Sequence, residues 1–418
     1  MPFLWIWIFV TTAFLVSSKL TYHGDKVFRV KVQSEEHIKL IQIMDNKFKL
    51  DFWNPDSVKN IKPQMTVDFH VNAKHTDSIQ RLLAWNTVDY EVLFHDLQKG
   101  IAASINNQTV QESRKHQYTV YNEWEKIAEW TGKIVAKYPK LVTRLDIGCT
   151  GEGRPMYVLK IGKPSGKSKA VFMDCGIHAR EWISPAFCQW FVKELTKGYS
   201  KGKAIQKLLN ELTFYILPVL NVDGYVYSWM KNRMWRKNRS PVPDSNCFGA
   251  DLNRNFNVSW CDIGSSDDPC SNIYCGPSPE SEKETQNVAN FIRGHLDSIK
   301  AYISIHSYSQ LLLYPFAYTF DLAPNAKNLD SISKAAVSKL SKLYGTQYAY
   351  GQTASTLYRT SGSSTDWAYT QGVKYSFTFE LRDEGKYGFL LPEAQIEPTC
   401  KETTRAVKYM AKYILQHS

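Results

Sequence analysis

The sequence predicts an α/β protein in two parts: a large domain with a mixed sheet and helices on both faces, preceded by a small α+β open-sandwich domain. Apolar strand-like segments alternate with helical segments from residue 115 to the end, which predicts the large domain. A shorter series of strands and helices before it predicts the small one. The 418-residue chain is 43% hydrophobic and 22% charged, which excludes wholesale disorder and a multi-span membrane protein.

Residues 1–18 have the pattern of a secretory signal peptide. Residues 2–16 are apolar and uncharged, and the small Ser17 and Ser18 follow where a signal peptidase would cut. The segment is short for a membrane span, and no later stretch is long and apolar enough to be one. We therefore expect a secreted protein, extracellular or stored in a secretory granule, in which disulfides form.

Residues 19–114 are expected to form the small domain and the linker that follows it. The order of its segments is strand, helix, strand, helix, strand, with helices on one face of the sheet. These segments are residues 26–32, 37–45, 66–71, 78–85 and 90–97. The linker is polar, carries the basic pair Arg114 and Lys115, and has the features of an exposed site for a trypsin-like protease.

Residues 115–418 are expected to form the large domain. The helical segments are 124–138, 188–197, 283–296 and 403–417. The strand-like segments are 141–148, 156–162, 170–178, 212–221, 301–308 and 375–381. In sheets of this kind, functional sites gather where the carboxyl ends of strands open onto a crevice.

Polar side chains follow three of the predicted strands. His178 ends one strand, with Glu181 three residues further on, His306 ends another, and Glu380 ends a third. Two imidazoles and a carboxylate make a three-ligand catalytic zinc set that leaves a fourth position for water. Glu380 shares one face of its strand with small polar residues, where it is suited to act as the general base for a zinc-activated water.

Two loops add basic side chains to this set. Arg236 lies in a basic loop, and Asn253 and Arg254 follow the acidic Asp251. A neighbouring asparagine and arginine are well suited to grip a carboxylate through forked hydrogen bonds. A zincin helix motif H-E-x-x-H is absent from the sequence, and so is the G-x-S-x-G elbow that a serine hydrolase would need.

Several longer motifs together resemble the pancreatic-type (A/B group) zinc metallocarboxypeptidases, most closely the B-type and mast-cell branches. They are GIHAREWISPA, NRMWRKNRS, DLNRNF, SIHSYSQ, LYRTSGSSTDW and FTFELRD, in this order. The resemblance covers the chain from about Val27 to its end. It implies the zinc carboxypeptidase fold and an inhibitory prodomain before the catalytic domain. It also implies one Zn²⁺ per chain and hydrolysis of the C-terminal peptide bond.

The same resemblance implies a role for each site residue. His178, Glu181 and His306 would bind zinc, Asp251 would orient His178, and Glu380 would be the general base. Arg236 would polarise the scissile carbonyl and hold the developing oxyanion. The substrate's terminal carboxylate would bind to Asn253, Arg254 and Tyr358. Outer subsites would include Arg180, Tyr308 and Phe389.

The eight cysteines allow many connectivities, which the sequence leaves open. The resemblance implies the pairs Cys175–Cys188, Cys247–Cys270 and Cys261–Cys275. It leaves open whether Cys149 and Cys400 are free or paired with each other. Glycosylation sequons stand at Asn107, Asn238 and Asn257, and the first of them, in the linker, is the favoured site.

By the same resemblance, Thr365 matches the pocket position that is aspartate in B-type enzymes, and Ser304, Thr353, Leu357 and Thr360 match positions in the pocket wall. A basic side chain would meet hydroxyls but no facing carboxylate there, so release of a neutral C-terminal residue is expected. B-type release of Lys or Arg is the alternative.

Lys and Arg outnumber Asp and Glu by 51 to 40, which leaves two further alternatives on partners open. One is a non-catalytic homologue that binds polyanions, and the other is an active enzyme with an anionic polysaccharide as an additional partner. We expect a monomer that acts on peptide and protein C-termini, is activated by a trypsin-like protease, and binds neither nucleic acid nor membrane.

Overall fold

The structure is a computed structural model that describes residues 19–105, 116–163 and 168–418. The expected signal peptide, the basic pair Arg114 and Lys115, and the sequon at Asn107 lie outside the described residues. The expected boundary between the two domains therefore stays a prediction. None of the helices in the described part of the chain is long and apolar enough to cross a bilayer.

The N-terminal unit is an antiparallel sheet of four strands, with the order β2-β3-β1-β4, and two of its three helices pack on one face. The strands are β1 Lys26–Lys31, β2 Asp51–Asn54, β3 Thr66–Val71 and β4 Tyr90–Phe94, and the helices are α1 Glu35–Phe48, α2 Thr76–Trp85 and α3 Leu97–Ser104. Phe28, Val30 and Phe69 pack under α1 and α2, while the alternate residues Arg29 and Asp68 face the opposite way. The sequence prediction missed β2, which has only four residues.

The large domain is an eight-stranded mixed sheet with the order β11-β10-β12-β9-β7-β8-β6-β5. The strands are β5 Val142–Cys149, β6 Pro155–Ile161, β7 Lys169–Cys175, β8 Leu212–Leu217, β9 Ile299–Ser307, β10 Leu311–Tyr314, β11 Ala349–Gln352 and β12 Tyr375–Leu381. The four central strands β12, β9, β7 and β8 are mutually parallel. Their carboxyl ends therefore meet at one edge.

Helices cover both faces of this sheet, which confirms the predicted fold class. They are α4 Trp124–Lys137, α5 Ile183–Lys201, α6 Lys203–Glu211, α7 Val222–Met230, α8 Lys283–Arg293, α9 Ala326–Tyr344, α10 Thr353–Thr356, α11 Ser364–Thr370 and α12 Ile396–His417. Alternation along β7 sends Val171 and Met173 to the core shared with α4, α5, α9 and α12. It sends Phe172 to the core shared with α8 and α11.

Several predicted boundaries differ from the observed ones because turns interrupt an apolar pattern. The strand predicted for 212–221 ends at Leu217, and Pro218 follows it. The helix predicted for 283–296 ends at Arg293, before Gly294. Conversely, α5 begins at Ile183, five residues before the predicted start, because the turn after His178 leads directly into the helix.

Candidate active site

Three neighbouring parallel strands, β7, β9 and β12, bring the candidate residues to one edge of the sheet. His306 lies near the end of β9, and Glu380 pairs with it in register on β12. His178 follows β7 after a turn at Gly176, whose φ of +67° favours glycine. A Cβ at Gly176 would lie 2.9 Å from Pro185, so the turn also depends on the missing side chain.

The side chains of His178, Glu181 and His306 form a compact, buried cluster. Their ligand atoms all lie within 4.8 Å of one another. His178 Nδ1 is 2.7 Å from Glu181 Oε1, and His306 Nδ1 is 3.4 Å from Glu181 Oε2. Burial would raise the pKa of Glu181, but the two histidines outweigh it and lower the pKa. The carboxylate is therefore ionised between two imidazoles.

The outer nitrogen of each histidine is also hydrogen-bonded. His178 Nε2 lies 3.1 Å from Asp251 Oδ1, and His306 Nε2 lies 3.0 Å from Ser304 Oγ. Ligating histidines usually donate their second ring N–H to such partners, which leaves the inner nitrogen free to bind a metal. A buried donor set of two imidazoles and one carboxylate, with both Nδ1 atoms facing inward, fits zinc.

Glu380 faces the same cavity as these three side chains. It is partly exposed, whereas its neighbours Phe379 and Leu381 are buried in the core, as the period-two pattern predicts. Desolvation inside the cavity and the negative charge of Glu181 raise the pKa of Glu380 above its usual range. A carboxylate with a raised pKa is suited to take up and release a proton near neutral pH.

Two arginines in the cavity bind an aspartate from the N-terminal unit. Arg236 Nη2 donates to Asp56 Oδ2 at 3.2 Å, and Arg254 Nη2 donates to the same oxygen. Arg236 also donates to Asp251 Oδ2 through Nε at 3.0 Å and through Nη2 at 2.8 Å. Burial lowers the pKa of Arg236, but Asp251 and Asp56 outweigh it and raise the pKa. The guanidinium group of Arg236 therefore stays charged.

The neighbouring cavity wall carries mostly hydroxyl groups. Thr365 Oγ1 lies 2.7 Å from Thr378 Oγ1. Asn253, Tyr358 and the predicted wall residues Thr353, Leu357 and Thr360 also line this cavity. Asp366 lines it too, but its Oδ2 accepts from the backbone N–H of Ala317 at 2.7 Å, and burial raises its pKa to about 7.

The assignment of Ser304 to the pocket wall is wrong. Ser304 is fully buried, and its hydroxyl donates to Asp174 Oδ1 at 2.8 Å behind His306. Ser304 and His306 share one face of β9, but that face is covered at Ser304 and open only near the end of the strand.

The predicted outer-subsite residues all contact the N-terminal unit. Arg180 does not line the cavity, and its Nη1 donates to Asp51 Oδ1 at 2.9 Å. Tyr308 donates its hydroxyl to Asp68 Oδ2 at 2.7 Å. The ring of Phe389 lies 5.1 Å from that of Trp53. The face of the N-terminal sheet that lies opposite α1 and α2 therefore packs over the cleft.

The three implied disulfides are present, while the other two cysteines are unpaired. The pairs are Cys175–Cys188, Cys247–Cys270 and Cys261–Cys275. Cys149 is exposed and Cys400 is buried, so they do not pair with each other. The sequon at Asn238 is excluded as a glycan site because its amide is buried against Glu282 and Glu284, whereas Asn257 is exposed.

Sequence reasoning missed Asp56, Thr378 and Asp174. Thr378 shares the strand face of Glu380, so the period-two pattern carried a signal for it. Asp174, like Glu380, is a carboxylate in an otherwise apolar strand, and the same argument would have marked it. No local sequence pattern could have marked Asp56, because Arg236 and Arg254, which bind it, lie 180 and 198 residues away.

These features are those of a metal-dependent hydrolase whose cleft is covered by an N-terminal unit. The zinc carboxypeptidase family matches residues 127–406, and the carboxypeptidase activation peptide matches residues 28–104. The chain therefore belongs to the zinc carboxypeptidases and carries an activation peptide, and one zinc ion per chain is expected.

Individual relatives are similar over nearly the whole chain. Mast cell carboxypeptidase A of Rattus norvegicus is 54% identical over 97% of this chain and 98% of its own length. Carboxypeptidase B of Bos taurus is 52% identical over 99% of this chain and 98% of its own length. The crystal structure of thrombin activatable fibrinolysis inhibitor is 40% identical and covers 95% of this chain and 100% of its own, with a TM-score of 0.90.

Proposed function

We propose that this chain is the secreted, inactive and monomeric precursor of an exopeptidase that releases a single neutral residue from peptide and protein C-termini. One observation carries the proposal: a carboxylate, that of Asp56, is bound by Arg236 and Arg254 inside the cavity that holds the candidate ligands and Glu380. The carboxylate of Asp56 stands where a substrate's terminal carboxylate would bind. An enzyme that recognises this group acts at chain ends.

The carboxylate-binding residues set which bond reacts. Arg254 is held by its Nε bond to the carbonyl of Gly264 at 2.8 Å, and Asn253 accepts from the backbone N–H of Ser364 at 2.9 Å. With Tyr358, they would fix the terminal carboxylate and so place the last peptide bond near Glu380. Arg236 would then face the carbonyl oxygen of that bond and stabilise its developing negative charge.

The remaining chemistry is proton transfer by Glu380. Zinc held by His178, Glu181 and His306 would supply Lewis acidity and lower the pKa of a water molecule. Glu380 would accept the proton of the attacking water and later deliver it to the leaving amine. Its place in the same cavity as the three candidate ligands supports this role.

The pocket supports preference for a neutral side chain. Thr365 and Thr378 share one hydrogen bond between their hydroxyl groups, and neither carries a charge. Asp366 is engaged by backbone amides, and burial raises its pKa to about 7, which disfavours its charged form. A Lys or Arg side chain would therefore be desolvated without a strong partner.

The test is a peptide panel that differs only in the last residue, given to the trypsin-treated protein with and without a chelator. We expect neutral ends to be cut fastest, only single residues to be released, and all activity to stop with chelator. If Lys and Arg ends were preferred instead, the B-type alternative would hold, with Asp366 as the acidic group. No hydrolysis of any peptide would favour the non-catalytic polyanion-binding alternative.

An anionic polysaccharide is proposed as an additional partner because exposed or partly exposed basic residues follow one face each of α5 and α12, which pack together. They are Lys193, Lys197 and Lys201 on α5 and Lys401, Arg405, Lys408 and Lys412 on α12. Salt-dependent retention on a heparin column, reduced by replacing the α12 residues with alanine, would support it. Equal retention of the variant would contradict it.

A further inference from the structure

The two candidate histidine ligands are supported in different ways. His178 Nε2 contacts the carboxylate of Asp251 directly, at 3.1 Å. His306 Nε2 instead contacts the hydroxyl of Ser304 at 3.0 Å, and that hydroxyl donates to Asp174 Oδ1 at 2.8 Å. His306 therefore also has a carboxylate behind it, but it reaches this carboxylate through the hydroxyl of Ser304 and not directly.

Asp174, Ser304 and His306 all lie on strands, so the register of the sheet alone fixes their relative positions. Asp174 on β7 lies directly opposite Ser304 on β9, and Ser304 and His306 are two residues apart on the same strand face. Asp174 and Ser304 are both fully buried. Burying a carboxylate and a hydroxyl in the middle of a sheet is costly unless the groups serve each other or a neighbour.

The direction of the hydrogen bonds determines the tautomer of His306. Because the Ser304 proton points to Asp174, the Ser304 oxygen is left to accept from His306 Nε2–H. The proton of a neutral imidazole is then on Nε2, and Nδ1 keeps its lone pair. Nδ1 is the atom that faces Glu181.

We propose that Ser304 and Asp174 are positioning residues that hold His306 in the orientation and tautomer required to bind zinc, with Asp174 acting through Ser304. This inference rests on the proposed ligand set. Asp174 thus does for His306, through one hydroxyl, what Asp251 does directly for His178.

The test measures zinc dissociation from the full-length precursor by competition with a chelator, which is independent of turnover. Ser304→Ala should weaken zinc binding about 10- to 100-fold, the usual cost of losing such a support. Asp174→Asn keeps the shape and should weaken zinc binding measurably, but by a smaller factor than Ser304→Ala. Ser376→Ala is the matched control, because Ser376 is equally buried but donates to the carbonyl of Val373.

The double variant Ser304→Ala/Asp174→Asn separates the relay from a direct effect of charge. If Asp174 acts through Ser304, the double variant should bind zinc no more weakly than Ser304→Ala alone. Additive losses, or a Ser304→Ala variant that binds zinc like Ser376→Ala, would overturn the proposal. Melting temperatures of the chelator-treated proteins show whether each variant folds. If Ser304→Ala does not fold, Asp174→Asn alone decides, and an unchanged zinc affinity of that variant overturns the proposal.

His306→Ala distinguishes failure of this inference from failure of the ligand set. If His306→Ala loses zinc while Ser304→Ala does not, only the positioning role is wrong. If His306→Ala retains full zinc affinity, the proposed ligand set itself is wrong.

Discussion

Two glutamates in the cleft have pKa values shifted in opposite directions because their neighbours differ. Burial opposes the charge of Glu181, but His178 and His306 outweigh it and lower its pKa, whereas burial and Glu181 raise the pKa of Glu380. Carboxylates whose pKa values are pushed apart in one site usually have different roles. Here Glu181, whose pKa is lowered, is suited to bind a metal, and Glu380, whose pKa is raised, is suited to transfer protons.

Glu380→Gln tests the proton-transfer role, because glutamine keeps the shape of the side chain but cannot act as a base. We expect turnover on a small substrate to fall by about 10²- to 10⁴-fold or more while zinc stays bound. The control Glu384→Gln changes an exposed carboxylate four residues later and should leave turnover unchanged. His178→Ala should instead lose zinc. Near-normal turnover of Glu380→Gln would exclude the general-base role.

Thr365→Asp tests the specificity proposal, because it puts a carboxylate beside Thr378 in the pocket. Preference should swing toward terminal Lys and Arg by about 10²-fold in relative kcat/KM, since a buried charge pair is worth about 2–5 kcal/mol. Thr365→Asn adds similar bulk without charge and should produce no such swing. An unchanged preference in the Asp variant would mean that Thr365 does not face the substrate side chain.

At the scale of elements, the order of strands builds the cleft. β12, β9 and β7 are adjacent and parallel, so Glu380, His306 and the turn carrying His178 leave the sheet at the same edge. The helix α5, which follows that turn, is anchored by the disulfide between Cys175 and Cys188. The candidate ligands are therefore held by rigid neighbours rather than by long loops.

The first turn of α8 holds a carboxylate that should make stability depend on pH. Glu284 is fully buried, and it accepts from the backbone N–H of Gly151 at 3.2 Å and from Asn238 at 3.1 Å. Burial raises its pKa from 4.5 to about 7, and nearby Asp223 adds to the effect. The protonated form is favoured in the fold, so its contribution to stability is full below pH 4.5 and is lost as the pH rises through about 7.

Glu284→Gln should remove this dependence, because glutamine is neutral at every pH. Relative to wild type, the variant should gain about 3 kcal/mol in free energy of unfolding between pH 4.5 and pH 8. Urea unfolding at several pH values measures this difference, with the exposed Glu211→Gln as control. Parallel pH profiles for wild type and Glu284→Gln would contradict the prediction.

At the scale of the whole molecule, the N-terminal unit covers the cleft with charged and aromatic side chains. Asp51, Asp56 and Asp68 each contact a residue proposed to bind substrate. Trp53 packs on Phe389 between these contacts. The same surface that would grip a peptide is thus occupied in the precursor.

Asp56→Ala should weaken this block without harming the mature enzyme. The intact variant precursor should cleave a small peptide substrate at least about tenfold faster than the wild-type precursor. The reason is that the carboxylate of Asp56 no longer competes with the substrate for the two buried arginines. After limited proteolysis, the two enzymes should have equal kcat/KM. Asp77→Ala, an exposed change on α2, is the matched control. Equal activity of the intact wild-type and Asp56→Ala precursors would show that Asp56 does not close the site.

The candidate site could largely be predicted from local sequence, because its signals are short-range. The three-residue spacing of His178 and Glu181, and the alternation that turns Glu380 out of an apolar strand, need no knowledge of distant contacts. The alternation of helices and strands likewise indicated the large domain, since each element buries one face with its own period.

The contacts that close and support the site needed the folded molecule. Alternation shows that Ser304 shares a strand face with His306, but not that this face is covered at Ser304, because the covering residues come from other elements. Asp56 meets Arg254 across 198 residues and two packed domains, and no local pattern encodes such a pair. Side-chain periodicity specifies which residues point together, whereas the packing of elements specifies what they meet.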